Sequence, residues 1–171
     1  MRFRAAETTR IETENDSALV AFIDFFGLSV PEEAARLLIM ELALGAILAA
    51  SFLMAALRKG AWHHWMMLSA YALDELVAKP LMAQRLMLGV VGDFPYEGTV
   101  ALPHLALSVT ATAFGLITII LGFRFRVKKG WKMFMPAKGK KIHRLTGVIF
   151  LVAWFASLAL GMRMFFLFYG G

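Results

Sequence analysis

Residues 124–144 read RFRVKKGWKMFMPAKGKKIHR, with nine Lys or Arg and no acid, between two long apolar runs. Cytoplasmic loops of membrane proteins carry the Lys/Arg excess, and that bias sets the orientation of the chain. The stretch is therefore expected to face the cytoplasm, and the rest of the chain is placed relative to it. On one side the run 100–123 contains no acid, and on the other the run 145–168 has Arg163 as its only charge, near the far end. Each is long enough to span a hydrocarbon core of roughly 30 Å.

Further upstream, residues 37–57 form an apolar run interrupted only by Glu41 and closed by Arg58, Lys59 and Gly60. Ser29, followed three residues later by Glu32, makes a capping box, and Pro31 is expected in the first turn of the helix that follows. Arg58 and Lys59 share a side with the 124–144 stretch if two helices separate them. The outer segments agree, since residues 1–36 hold seven acids against four bases and the turn 92–99 carries only Asp93 and Glu97. Both ends of the sequence are then expected outside, in a cell (inner) membrane. The first 17 residues are polar, with no cleavable signal peptide visible. The apolar segment 17–28 contains Asp24 and reaches only about 18 Å as a helix, so it is expected to lie in the interface.

The chain has 171 residues, 60% of them hydrophobic, and a mean hydropathy of +0.68. That is too apolar for an ordinary soluble domain. The net charge of +6 does not point to nucleic acid, because half of the eighteen basic residues sit in the one stretch. A solvated topogenic loop near anionic lipid explains it. With no cysteine, disulfides, thiolate metal sites and covalent c-type haem attachment are excluded. Metal chemistry is left to His, Met or carboxylates. Internal repeats, Gly/Ser linkers and low-complexity tracts are not apparent. The expected fold is an all-α membrane protein. It is an up-and-down bundle of four transmembrane helices over residues 35–171, preceded by an extracytoplasmic tail and interfacial amphipathic segment over 1–34.

The remaining span, 61–91, carries Asp74, Glu75, Lys79 and Arg85. A charge at mid-bilayer costs about 2.5–3.5 kcal/mol on insertion scales, so these groups are expected to face the bundle or each other. Glu75 and Lys79 are one turn apart in the favourable order, and Glu41 falls near the depth of Lys79, within reach of a cross-helix ion pair. Pro80 is expected to kink the helix. Glu41, Asp74, Glu75, Lys79, Arg85 and Arg163 together make an intramembrane polar network that holds helices together or, in a weaker reading, serves a small transporter.

Four histidines occur, at 63, 64, 104 and 143. His63 and His64 open the second span and His143 the fourth, at the cytoplasmic interface, whereas His104 opens the third on the outer side. Two imidazoles from different helices at one depth are what a haem b needs for axial ligation between helices of a bundle. Gly147, Phe150, Trp154, Ser157 and Gly161 follow His143 at three- and four-residue steps, offering close approach and aromatic lining. Arg144, Lys140 and Lys141 are placed to meet haem propionates. His104, Ser108, Thr112 and Gly115 share a face of the third span, as at helix contacts inside membranes. There His104 has Arg85, Lys79, Glu41 and Arg163 as expected company, around a quinone head group, an outer metal or nothing. Met66 and Met67 beside the histidines are soft enough to bind copper. Against all of this stands the reading of AWHHW as interfacial belt residues.

HHWMMLSAYAL, PHLALS and HRLTGVIFLVAWFASLALG together resemble a small four-helix membrane family that includes the haem-copper oxidase maturation protein CtaM. The first matches a His, three spaces, Met opening, which selects His63 over His64. The second matches the histidine near the start of the following helix, His104. The third places Trp154 eleven residues after His143 and Gly161 seven further on. The resemblance covers roughly residues 60–168. It departs in KPLMAQRLMLGVVGDFP, which lacks the family's further outer histidine; the inner pair is kept. It implies a respiratory membrane context, binding haem or copper or helping an oxidase acquire them. Two functions follow as expectations: a haem-b or other His-ligated electron-transfer protein or respiratory subunit, and a non-catalytic assembly factor or accessory subunit of a membrane oxidase. The expected partners are the lipid bilayer and other respiratory subunits, with no nucleic acid.

Overall fold

The computed structural model describes residues 30–87, 100–129 and 132–169. The proposed interfacial segment 17–28, Ser29 and the turn 92–99 lie outside the described residues. The described chain is helical except for one short ribbon. Its elements are α1 (Glu32–Ala56), α2 (Gly60–Leu73), a π-helical turn (Asp74–Ala78), α3 (Lys79–Met87), α4 (Leu102–Phe125), β1 (Val127–Lys129), β2 (Lys132–Phe134) and α5 (Ala137–Tyr169). Three helical segments, α1, α4 and residues Gly139–Tyr169 of α5, are long and apolar enough to cross a membrane. The second apolar segment falls outside that group, because a π-helical turn divides it into helices of 14 and 9 residues, although its helical path runs unbroken from Gly60 to Met87.

Local chemistry sets the ends of α1. Pro31 stands just before the helix rather than in its first turn, and its carbonyl accepts the N–H groups of Ala34 and Ala35. Glu32 and Glu33 fill the first turn, where the helix dipole favours anions. At the other end the Lys59 N–H bonds to the Met54 carbonyl and the Arg58 N–H to that of Ala55. This is a Schellman closure with Arg58 at the left-handed position, φ 58°. A side chain there is strained by about 1–2 kcal/mol. Arg58→Gly is therefore expected to raise stability by roughly 1 kcal/mol in thermal unfolding in detergent.

The basic stretch is less of a loop than its charge suggests. Val127 pairs with Phe134 and Lys129 with Lys132 in an antiparallel ribbon, and α5 then starts at Ala137, with the Pro136 carbonyl accepting from Gly139 and Lys140. His143 therefore lies inside a helix, almost two turns past its start. The π turn ahead of Pro80 answers the expected kink. Proline would clash with the carbonyl four residues back, and the widened turn, with the Lys79 N–H bonded to the Asp74 carbonyl, relieves the crowding.

α1 lies against α2 and α5, α2 against α4, and α4 along most of α5. Leu44, Leu48, Ala70, Ala78, Ala111, Phe150, Ala153 and Trp154 form the shared core. Large apolar side chains such as Trp62, Leu76, Leu102 and Val152 point outward and are more than 60% exposed, as suits helices whose surroundings are lipid. α4 and α5 are antiparallel, and their register sets His104 against Gly161, Gly115 against Phe150 and Gly122 against His143. Gly115 is a tight seat, because a Cβ there would overlap the Tyr71 ring, whose hydroxyl is tied to the Thr112 carbonyl at 2.9 Å. Gly115→Ala is expected to cost about 1–3 kcal/mol by overpacking, read as a lowered unfolding temperature in detergent.

Candidate functional site

Three histidines are held by one device. The Nδ1 of His63 lies 3.0 Å from the Ser51 carbonyl of α1, that of His143 lies 3.1 Å from the Thr118 carbonyl of α4, and that of His104 lies 2.9 Å from the Ser157 carbonyl of α5. A carbonyl cannot donate, so each bond puts the ring hydrogen on Nδ1 and leaves Nε2 as a bare lone pair when the ring is neutral. Metal-bound histidines are oriented in this way, with the far ring nitrogen donating to a backbone carbonyl or carboxylate.

The hydroxyls complete the device in two cases. Ser51 Oγ donates to the His63 carbonyl at 3.1 Å, and Ser157 Oγ to the His104 carbonyl at 3.3 Å. Thr118 is the exception. The carbonyl of His143 already accepts from Thr146 Oγ1 at 3.1 Å, and Thr118 Oγ1 is buried without a hydrogen-bond partner. Glycine supplies the close approach: a Cβ on Gly122 would stand 3.4 Å from Cε1 of His143, and one on Gly161 would stand 3.2 Å from Cε1 of His104.

His63 and His143 meet. They come from helices that are not neighbours in sequence, and their ring centroids are 6.4 Å apart with planes at 86°. His64 turns elsewhere: its Nε2 accepts from Arg126 Nη1 at 3.0 Å, and its ring packs edge-on against Phe123, 4.8 Å between centroids. Of the adjacent pair, then, His63 faces His143. His104 stands apart at the opposite end of α4, braced on α5.

No family model, curated protein or solved structure matches this chain. The reading therefore rests on the geometry.

The intramembrane charges form a second centre. Lys79 Nζ pairs with Asp74 Oδ2 at 3.1 Å and with Glu75 Oε1, and also donates to Thr112 Oγ1 at 2.7 Å. Thr112 passes its own hydrogen to Glu75 Oε1 at 2.8 Å. Trp154 Nε1 donates to Asp74 Oδ2 at 3.1 Å. The one-turn pair Glu75–Lys79 forms as expected, whereas Lys79 takes Asp74, and not Glu41, as its second carboxylate. Glu41 is buried alongside, within the field of Asp74 and Lys79. Arg163 is exposed and takes no part in these pairs. The side chain of Arg85 lies outside the described residues.

Several expected site residues have other work. Trp154 belongs to this charged centre and the core, not to the lining of His143. Gly147 lies against Thr118, its absent Cβ 3.5 Å from the Thr118 methyl, which keeps α4 and α5 close one turn from His143. Lys140, Lys141 and Arg144 line a groove of about 490 Å³ on α5 together with Leu145 and Val148. Among the described residues no group of three or more His, Cys, Asp or Glu could hold a metal ion. A site with two imidazoles remains.

Ser51 and Thr118 escape a residue-by-residue reading, and Ser157 is legible there only as part of the His143 face, but a signal for two of the three is present. HLALSVTATAFGLITIILG (104–122) and HRLTGVIFLVAWFASLALG (143–161) both place a hydroxyl residue fourteen positions after the histidine and a glycine four beyond it. This spaced repeat makes α4 and α5 near two-fold mates, each receiving the histidine of the other.

Proposed function

We infer that the chain is a membrane redox protein, or a subunit of a respiratory electron-transfer complex, that binds haem b between His63 and His143. One observation carries the reading: two braced imidazoles from separate helices, neither with an Nε2 partner among the described residues, stand 6.4 Å apart between centroids. Imidazoles that bind one metal from opposite sides, with each nitrogen about 2 Å from it, have centroids separated by roughly 6 Å. The unpartnered Thr118 hydroxyl adds a second sign of an unfilled polar need beside His143. Iron held by two histidines cycles between ferric and ferrous states and passes single electrons. The chain's own contribution is to fix the tautomer and angle of both rings through Ser51 and Thr118.

In this reading the helical path Gly60–Met87 is a fourth span, its charges satisfied internally. The helices run up and down through a cell (inner) membrane, with the basic ribbon cytoplasmic and both ends of the sequence outside. The resemblance to the oxidase-maturation family supports the same respiratory setting. Copper between His63 and Met66 or Met67, and a quinone near His104, are the alternatives that the sequence offers. The test is a visible absorption spectrum of detergent-purified protein before and after haemin addition. A Soret band of a six-coordinate haem is expected, and a preparation that stays colourless would sink the proposal.

A second reading has its own observation. His104 makes the same carbonyl bond with no other imidazole beside it, so the brace also works as a staple between helices. A non-catalytic assembly factor or accessory subunit needs nothing more than that. It predicts that alanine at all four histidines leaves co-purification with a membrane oxidase partner intact.

A further inference from the structure

The face of α5 turned away from the other helices offers both a charge and an apolar track. Thr146, Phe150, Ala153, Trp154 and Ser157 are buried. At 100° per residue, positions 141, 144 and 148 fall on the opposite side, with 140 at its edge. There the groove lined by Lys140, Lys141 and Arg144 opens onto Leu145 and Val148. Below it the track continues, with Leu145 61%, Val148 42% and Val152 64% exposed. None of the three cations forms an ion pair among the described residues, and the stretch 124–144 contains no acid to offer one.

A ligand matching this face is amphipathic: an anion at the level of the first turns of α5 and a hydrocarbon chain running along the helix toward mid-membrane. We propose that this face binds one acidic phospholipid, its phosphodiester held by Lys140, Lys141 and Arg144 and an acyl chain laid along Leu145, Val148 and Val152. The complementarity of three cations, none in an ion pair among the described residues, to an anionic head group, joined to a continuous apolar stripe, selects a lipid over a soluble anion. The apolar track does not depend on haem, because Leu145, Val148 and Val152 run along the far side of α5 from His143.

The full chain in mild detergent, titrated with phosphatidylglycerol or phosphatidylcholine and followed by native mass spectrometry, tests this. Three cations at such a surface are worth on the order of 100-fold in affinity. The parent is expected to prefer phosphatidylglycerol by at least tenfold, the K140Q/K141Q/R144Q variant to lose the preference, and K140R/K141R/R144K to keep it. No preference in the parent, or one that survives in the glutamine variant, overturns the proposal. It would leave an acidic segment of a partner protein as the better occupant. Displacement of the lipid by excess inorganic phosphate would also overturn it, by showing that the apolar track contributes nothing. If the glutamine variant fails to fold, the parent's own choice between the two lipids decides.

Discussion

His143→Ala is expected to abolish the Soret band of haemin-reconstituted protein, and His63→Ala to do the same, whereas His64→Ala and His104→Ala leave it in place. The asymmetry follows from what each ring meets. His64 spends its Nε2 on the Arg126 guanidinium. His104 is braced at the other end of α4. Only His63 and His143 are paired ring to ring. Loss of an outer-shell partner of a metal ligand costs roughly 10- to 100-fold in affinity, and loss of the ligand itself should cost more. The alanine variants should also weaken the helix contacts slightly, so circular dichroism must show them folded before colour is scored. Equal loss of the band in all four variants would mean that the histidines act through the fold and not as ligands.

Lys79→Met should be the most destabilising single change in the chain. Lys79 is the ammonium that Asp74 and Glu75 share, and Asp74 is 3% exposed. Removing one partner of a buried ion pair leaves the other charge uncompensated, at a cost of about 3–5 kcal/mol. In a small membrane protein that is a large part of the total stability. The neutral triple D74N/E75Q/K79M removes the charge along with the partner and should recover most of the loss, because the amides can still accept from Trp154 and Thr112. Thermal unfolding in detergent checks both. If the triple is no more stable than Lys79→Met alone, the ammonium serves packing and not charge balance.

Much of this was legible in the chain as written. Uninterrupted apolar runs placed three helices, because residue type alone decides whether a segment tolerates lipid and backbone groups there must be satisfied within the helix. The one-turn spacing of Glu75 and Lys79 foretold their pairing, and the depth of His63 and His143 foretold their end of the molecule. Composition could not say how far helix α5 reaches into the basic stretch, since lysines suit a helix as well as a loop.

What only the tertiary structure decided is which group each polar side chain meets. Sequence order places His63 and His64 side by side, but the 100° between successive helix positions sends one to Ser51 and His143 and the other to Arg126. Carbonyl oxygens, present at every residue, carry no mark in the sequence, so the bonds to Ser51, Thr118 and Ser157 needed the register of one helix on another. The same register gave Trp154 to Asp74. Local periodicity fixes the face a residue occupies, and packing between helices fixes what that face touches.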